Sequence, residues 1–267
     1  MITAIFNNKG GTGKSTTAVN LAAAIAMQGS KVLIVDLDAQ ANATAYCGAD
    51  AENEDLPSIF EVLFEGLDPR KAILSTACEG LFLLPANGKM KNSSSRLNQD
   101  PISNPAARLF LAFRNSKIEN DFDYIFLDCP SELDTVTANA LNASHDCIVP
   151  CITDIFSKMG LLKVLDALDT AANNGTGTTI TLSGTVVCNF RGATKIARTN
   201  AEEIFEALPE TAYRTIIRQS VAIPTSMEML KPVVFSHPKS TAAQDYFSLA
   251  AEYILRHPAL TSAQKHA

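Results

Sequence analysis

Asn7-Asn8-Lys9-Gly10-Gly11-Thr12-Gly13-Lys14-Ser15-Thr16 lies between two apolar stretches. Ahead of it, Ile2-Thr3-Ala4-Ile5-Phe6 is a short run rich in strand formers; behind it, Ala18-Val19-Asn20-Leu21-Ala22-Ala23-Ala24-Ile25-Ala26 has helical composition and spacing. The quoted stretch is therefore a loop that carries the chain from a strand into a helix. Gly10, Gly11 and Gly13 let its backbone bend until successive N–H groups converge on anionic oxygens, and the helix behind adds the positive end of its dipole. Lys14 supplies a point charge for outer phosphates. Ser15 places a hydroxyl where a phosphate-bound Mg²⁺ needs an oxygen ligand, and Thr16 can donate to an inner phosphate. The spacing is that of G-x-x-x-x-G-K-[ST] with Asn8 in place of the first glycine, and Lys9 adds a second lysine five positions ahead of Lys14.

Two acidic stretches follow in an order that supports this reading. Lys31-Val32-Leu33-Ile34-Val35-Asp36 is apolar on both faces, as buried parallel strands are. Asp36-Leu37-Asp38-Ala39-Gln40-Ala41-Asn42 then puts two carboxylates at alternate positions just past the strand's carboxyl edge, where open α/β sheets hold their ligands. One can hold a Mg²⁺-bound water while the other faces a water attacking the terminal phosphate. In Asp123-Tyr124-Ile125-Phe126-Leu127-Asp128-Cys129-Pro130, four apolar residues run into Asp128, a strand that delivers a carboxylate beside the phosphate loop.

With these three motifs in this order, the chain resembles the ParA/MinD family of deviant Walker-A P-loop ATPases. The likeness is closest to small ParA-type partition and positioning members, including those that position carboxysomes, and it extends to about residue 255. It implies ATP and Mg²⁺ as cofactors, bound by the loop residues Lys9, Gly10, Gly11, Thr12, Gly13, Lys14, Ser15 and Thr16. In the family the extra lysine, here Lys9, reaches across a homodimer interface to the partner's nucleotide. The family pattern D-x-D-P-Q-x-N is met with Ala39 in place of proline. By resemblance Asp38 positions or activates the lytic water, so that Lys9, Lys14 and Asp38 are the catalytic candidates. Ser15, Asp36 and Asp128 are the Mg²⁺ candidates. An asparagine after a later strand contacts the base in the family, which makes Asn189 the candidate here.

The remaining sequence continues the alternation of strand and helix. Residues 57–64 have helical apolar spacing, Pro69 suits the first turn of a short helix ending near Cys78, and Leu81-Phe82-Leu83-Leu84 is a strand stopped by Pro85. The polar stretch 87–105, with Ser93-Ser94-Ser95, reads as a mobile loop. A helix over 132–143, a strand over 145–150, a long helix over about 155–172 ended by residues 173–177, and a strand over 180–188 lead to Asn189. A last helix spans Thr241 to Arg256, with Ala242, Tyr246, Leu249, Ala250, Tyr253 and Ile254 at core spacing. The expected fold is α/β: a mostly parallel, doubly wound sheet with helices on both faces, as in P-loop NTPases. Residues 1–256 are expected to form a single domain, with 257–267 a short tail.

Charge separates the far end of the chain from the rest. Residues 190–240 hold seven Lys and Arg against five Glu, net +2 in a chain of net −6. In the family such basic residues line a dimer-spanning surface that holds DNA phosphates without reading bases, and Arg191, Lys195, Arg198 and Arg218 are the candidates here. Thr215-Ile216-Ile217-Arg218-Gln219-Ser220-Val221-Ala222-Ile223-Pro224 departs from the asparagine-bearing pattern of chromosomal members. The resemblance further implies a ParB-like or cargo-adaptor partner that stimulates slow hydrolysis, and a cytoplasmic, nucleoid-associated protein.

Composition narrows the alternatives. Apolar residues make up 46% and charged residues 19% of 267, the profile of a globular chain. No apolar run approaches the ~20 residues that span a bilayer. Cys47, Cys78, Cys129, Cys147, Cys151 and Cys188 form no C-x-x-C pair and read as small core hydrophobes in a reducing compartment. His145, His237, His257 and His266 lack ligand spacing. A metal-cluster carrier or reductase on the same scaffold would need a companion for Cys129. A membrane-cycling, MinD-like division regulator would need a cationic amphipathic tail, whereas residues 259–267 hold only Lys265 and His266, so no membrane partner is expected. A bacterial tyrosine kinase would need a terminal tyrosine cluster, and Tyr246 and Tyr253 sit instead at core spacing.

Overall fold

The computed structural model describes residues 1–99, 104–153, 157–173, 179–192 and 194–259. Along the chain run β1 (Ile2–Ile5), α1 (Lys14–Ala26), β2 (Val32–Asp36), α2 (Asn42–Tyr46), α3 (Ile59–Phe64), β3 (Leu74–Ser75), β4 (Leu81–Leu84), α4 (Ser93–Gln99) and α5 (Arg108–Ser116). There follow β5 (Tyr124–Asp128), α6 (Thr135–Asn142), β6 (Asp146–Cys151), α7 (Ser157–Asn173), β7 (Thr181–Phe190), α8 (Lys195–Ala207), β8 (Ile216–Arg218), α9 (Ala222–Glu228), α10 (Val233–Ser236) and α11 (Thr241–Arg256). The eight strands form one sheet in the order β3-β4-β2-β5-β1-β6-β7-β8. All neighbours are parallel except β3 and β4.

Both faces of the sheet are covered, which explains the unbroken apolar strands. On β2, Val32 and Ile34 point to one face, where they pack with α1, α10 and α11; Leu33 and Val35 point to the other, with α3, α5, α6 and α7. The helix behind the phosphate loop, α1, is buried on nearly every side, from Thr17 to Ala26, so its small alanines let it lie between the sheet and α11. Tyr253 of α11 reaches the sheet, where its hydroxyl and that of Thr3 are 2.6 Å apart. β1 lies between β5 and β6, and β2 on the far side of β5, so the loops after β1, β2 and β5 open at one carboxyl edge.

Four local expectations are corrected. The helix expected from Pro69 to Cys78 is only a 3-10 turn, Pro69–Lys71, capped by Asp68; the chain then forms β3, antiparallel to β4. The hairpin closes through the Thr76 hydroxyl, which donates to the carbonyls of Cys78 and Leu81, and through Gly80 at φ 79, a conformation that favours glycine. The stretch 87–105, expected as a loop, contains a 3-10 turn (Gly88–Met90), α4 and the start of another 3-10 turn at Pro105. Its polar composition hides a fully buried Leu97 and an Arg96 stacked 4.8 and 4.6 Å from the rings of Phe60 and Phe64. The strand expected over 180–188 runs on to Phe190, so Asn189 lies within β7 instead of after it. Ile254, expected in the core, is only partly buried. Expectations for the helix start near residue 155, for the turn at 174–177 and for Lys265 and His266 fall outside the described residues.

Candidate nucleotide site

The phosphate loop is tied down at its start. Asn7 donates from Nδ2 to the Pro150 carbonyl at 2.8 Å and accepts from Lys9 N at 3.0 Å, which fastens the loop to the end of β6. Gly11 at φ 73 and Gly13 at φ 89 then turn it into α1, conformations that L side chains rarely adopt. Lys14 folds back beneath this turn, 7% exposed. Its Nζ donates to the Lys9 carbonyl at 3.1 Å and to the Ser131 hydroxyl at 2.6 Å. Burial pulls its pKa below the ordinary lysine range, against the attraction of Asp128 and, more weakly, Asp38. Lys9 is half-buried, and Gly10 and Gly11 beside it are exposed.

Asp36 and Asp128 stand side by side in the register of β2 and β5, yet they are held differently. Asp36 is fully buried and accepts three hydrogen bonds, from Asp38 N at 3.0 Å and from the backbone N and hydroxyl of Thr44, both at 2.8 Å. Desolvation raises its pKa to about 6, with the Thr44 and Asp38 bonds acting the other way. Asp128 is equally buried, but neither of its oxygens accepts a hydrogen bond of ordinary geometry. Its pKa is raised well above the usual carboxylate range, by burial first and by Asp36 second, while the Ser15 hydroxyl and Lys14 oppose the rise. An unpartnered buried carboxylate with a hydroxyl facing it is a donor set that suits a hard cation. Ser15 and Asp128 therefore fit Mg²⁺, whereas the oxygens of Asp36 are already engaged in fixing α2. Asp38, half-exposed, accepts from Gln40 N at 2.9 Å and faces the cleft.

The cleft lined by Lys14, Ser15, Asp38 and Ser131 has a volume of about 1050 Å³. A hollow of about 600 Å³ adjoins it across Gly11, Gly13 and Thr16. Asn189, exposed at φ 51, lines this hollow together with Ile217, residues 219–221, Ile223, Pro224 and Tyr246. Ser131 and the hollow's lining from β8, α9 and α11 escaped the sequence reading. The pair Pro130-Ser131, two and three residues past the β5 acid, was the only signal for the first.

The basic candidates divide. Arg191, Lys195 and Arg198 are exposed, the last two one turn apart on α8. Arg218 instead forks onto Asp245: its Nε lies 3.1 and 3.0 Å from the two carboxylate oxygens, and Nη2 is 2.5 Å from one of them. All six cysteines are buried, and none of them is in a disulfide. Among the described residues no helix is long and apolar enough to cross a membrane.

A family model described as an AAA domain matches residues 1–181. Over 252 residues the chain is 31% identical to the sporulation initiation inhibitor protein Soj of Bacillus subtilis, a match covering 94% of this chain and 97% of that one. The chain belongs to the ParA/MinD family of P-loop ATPases. It is similar as well to the chromosome partitioning protein ParA of Caulobacter vibrioides, 26% identical over 96% of this chain and 94% of that one. Among solved structures, a cobyrinic acid a,c-diamide synthase from Mycobacterium smegmatis with bound ADP and magnesium superimposes with TM-score 0.80 at 29% identity, covering 96% of this chain and 94% of that one. Apo McdA of Cyanothece superimposes with TM-score 0.82 over 95% of this chain and 98% of that one; at 21% identity it bears on the fold alone. As a ParA/MinD member the chain is an ATPase that uses ATP with Mg²⁺.

Proposed function

We propose that this ATPase positions or partitions a cargo, either a plasmid or chromosome locus or a protein assembly such as a carboxysome. ATP joins two copies face to face, Lys9 of each closing on the other's nucleotide. The dimer holds DNA through its phosphates, and a ParB-like or cargo-adaptor protein speeds slow hydrolysis and release. Binding energy from ATP selects the paired state, and hydrolysis removes it. The observation that carries this reading is the division of labour between the two lysines of one loop. Lys14 is committed to its own cleft, while Lys9 supports it through the backbone carbonyl and is itself half-buried beside the exposed Gly10 and Gly11. A Cβ added to the neighbouring Gly10 would meet nothing within 4 Å, so that face has room for an approaching copy.

In the same reading Mg²⁺, held by Ser15 and through water by Asp128, offsets phosphate charge when bound. The backbone from Gly10 to Thr16 cradles the phosphates, with the Thr12 hydroxyl closing the loop onto the Lys9 carbonyl at 3.4 Å. Asp38 orients the attacking water. Asp36 serves this arrangement by fixing the turn that presents Asp38, and Asn189 meets the base. Arg191, Lys195 and Arg198 supply the DNA contacts; the charge of Arg218 is committed to Asp245.

Binding of the Asp38→Ala protein to a duplex of arbitrary sequence, titrated across salt concentrations, tests the account. Binding is expected with MgATP but not with ADP, nearly independent of sequence, and steeply weakened by salt. Lys195→Ala and Arg198→Ala should each lower the salt slope by about 1 per protomer, and Arg218→Ala should leave it unchanged. Sequence-specific binding, or binding indifferent to nucleotide and salt, would contradict it.

A further inference from the structure

Lys14 has a partner that phosphate binding does not require. Ser131, three residues beyond Asp128 in the turn from β5 to α6, accepts from Nζ at 2.6 Å, a shorter bond than the one to the Lys9 carbonyl at 3.1 Å. The turn is fastened at its other end as well. Asp134 caps α6 by accepting from Thr137 N at 3.0 Å, and its second oxygen accepts from the Ser94 hydroxyl of α4. Ser94 accepts from Val136 N at 3.3 Å, and the Thr135 hydroxyl donates to Asn98 at the far end of α4 at 2.7 Å. The Thr137 hydroxyl donates back to the Glu132 carbonyl at 2.5 Å, which stiffens the turn between these two ends. Residues 131–137 are thus a strap with Lys14 at one end and α4 at the other.

We propose that Ser131 is a positioning residue that parks the Lys14 ammonium when no phosphate is present, and that its release on nucleotide binding is passed through Asp134 and Ser94 to α4. The inference rests on Lys14 being the phosphate-binding lysine. An ammonium has three N–H donors and, inside a pocket, must give them to acceptors. The carboxylate whose charge pulls most on Lys14 is that of Asp128. Collapse onto it would close the phosphate site and occupy the carboxylate that suits Mg²⁺. The Asp128 oxygens are nonetheless unbonded. Ser131 and the Lys9 carbonyl thus hold the ammonium off the acid and keep both groups available.

A phosphate oxygen, carrying charge, is a stronger acceptor for an ammonium than a neutral hydroxyl. The Ser131 bond is the one that can be exchanged, since the Lys9 carbonyl belongs to the same loop as Lys14 and travels with it. Once Ser131 is let go, the strap no longer has a fixed end at the P-loop. Its remaining ties are to α4, whose segment Ser93-Ser94-Ser95 lines the same cleft.

The test compares full-length wild type with Ser131→Ala, Ser131→Thr and Ser94→Ala, by titration with MgATP, steady-state hydrolysis, and amide hydrogen exchange over residues 93–99 with and without nucleotide. Ser131→Ala frees the ammonium to fall onto Asp128 and should bind MgATP about three- to tenfold more weakly, raising KM more than it lowers kcat. Its α4 amides should lose most of their response to nucleotide. Ser131→Thr keeps the hydroxyl and should restore wild-type behaviour in all three measurements. Ser94→Ala should lose the α4 response. Affinity of Ser131→Ala equal to or above wild type, or α4 exchange that still follows nucleotide in both alanine variants, overturns the proposal. A wild type that fails to bind MgATP overturns the nucleotide-site reading beneath it, and the titration separates the two failures.

Discussion

At the phosphate end of the cleft one continuous loop, residues 7–16, supplies the backbone turns, the lysine and the hydroxyl. At the end proposed to hold the base, Asn189 of β7, residues 219–221 after β8 with Ile223 and Pro224 of α9, and Tyr246 of α11 reach a common hollow from three parts of the chain. Phosphate binding depends on local geometry, because converging N–H groups and a helix terminus arise wherever the right residues stand in a row. Base recognition depends on tertiary convergence, so its residues bear no fixed spacing to one another. The phosphate end should accordingly be brittle to single changes and the base end tolerant.

The largest expected effect is at Lys14. Lys14→Ala should weaken MgATP binding by a factor on the order of a hundred or more, since a buried, charge-assisted phosphate contact has no substitute in the loop; calorimetric titration measures it. Near-normal affinity would erase the contrast between the two ends.

A second test separates the two acids at the phosphate end. Asp128→Asn, which removes an unpartnered buried charge, should stabilise the nucleotide- and magnesium-free protein by about 2 kcal/mol at neutral pH while abolishing Mg²⁺-dependent hydrolysis. The sign follows from the raised pKa of Asp128. The folded state holds its proton to higher pH than the unfolded chain, so the ionised form is a penalty that grows as pH rises above about 4. The variant's advantage in chemical denaturation should therefore be absent near pH 4 and widen towards neutrality. Asp36→Asn should destabilise instead, because Asp36 uses its oxygens to hold Thr44 and the backbone of Asp38. Equal behaviour of the two variants would show that the acids are interchangeable.

The smallest effect belongs to the base end. Asn189→Gly keeps the left-handed backbone at φ 51 and should weaken ATP binding only about three- to tenfold, through the lost side-chain contact. Asn189→Ala should do the same and lower the melting temperature as well, because alanine resists that conformation. A loss as large as that of Lys14→Ala would place the binding energy at the wrong end.

The same division explains what could be read in advance. The order of β1, β2 and β5 was legible because each strand is buried on both faces, β1 running into the glycine-rich loop and β2 and β5 ending in Asp36 and Asp128. Strand Leu81–Leu84 and helix Thr241–Arg256 kept their expected bounds because Pro85 stops one, while Ser240 caps the other and Pro258 follows it. β3 and β8, two and three residues long, carry too little pattern to register. Helix α4 exists because Leu97 is buried and Arg96 stacks on two phenylalanines, and neither fact is visible in a polar stretch. The three bonds that engage Asp36 were hidden for a similar reason. One comes from its immediate turn, and the other two come from Thr44, which approaches only once α2 has formed. Likewise Arg218 is one positive charge among seven in the sequence, and only the packing of α11 against β8 brings Asp245 to it.

Lys9 offers the most direct measurement of the central claim, that one loop lends one cation to its own nucleotide and another to its neighbour's. Sedimentation velocity of Asp38→Ala with MgATP should give a species of twice the 28.6 kDa chain mass, and the double variant Lys9→Ala, Asp38→Ala should bind MgATP yet sediment as a single chain. A double variant that pairs as readily as its parent, or a parent that stays single with ATP bound, would contradict the account.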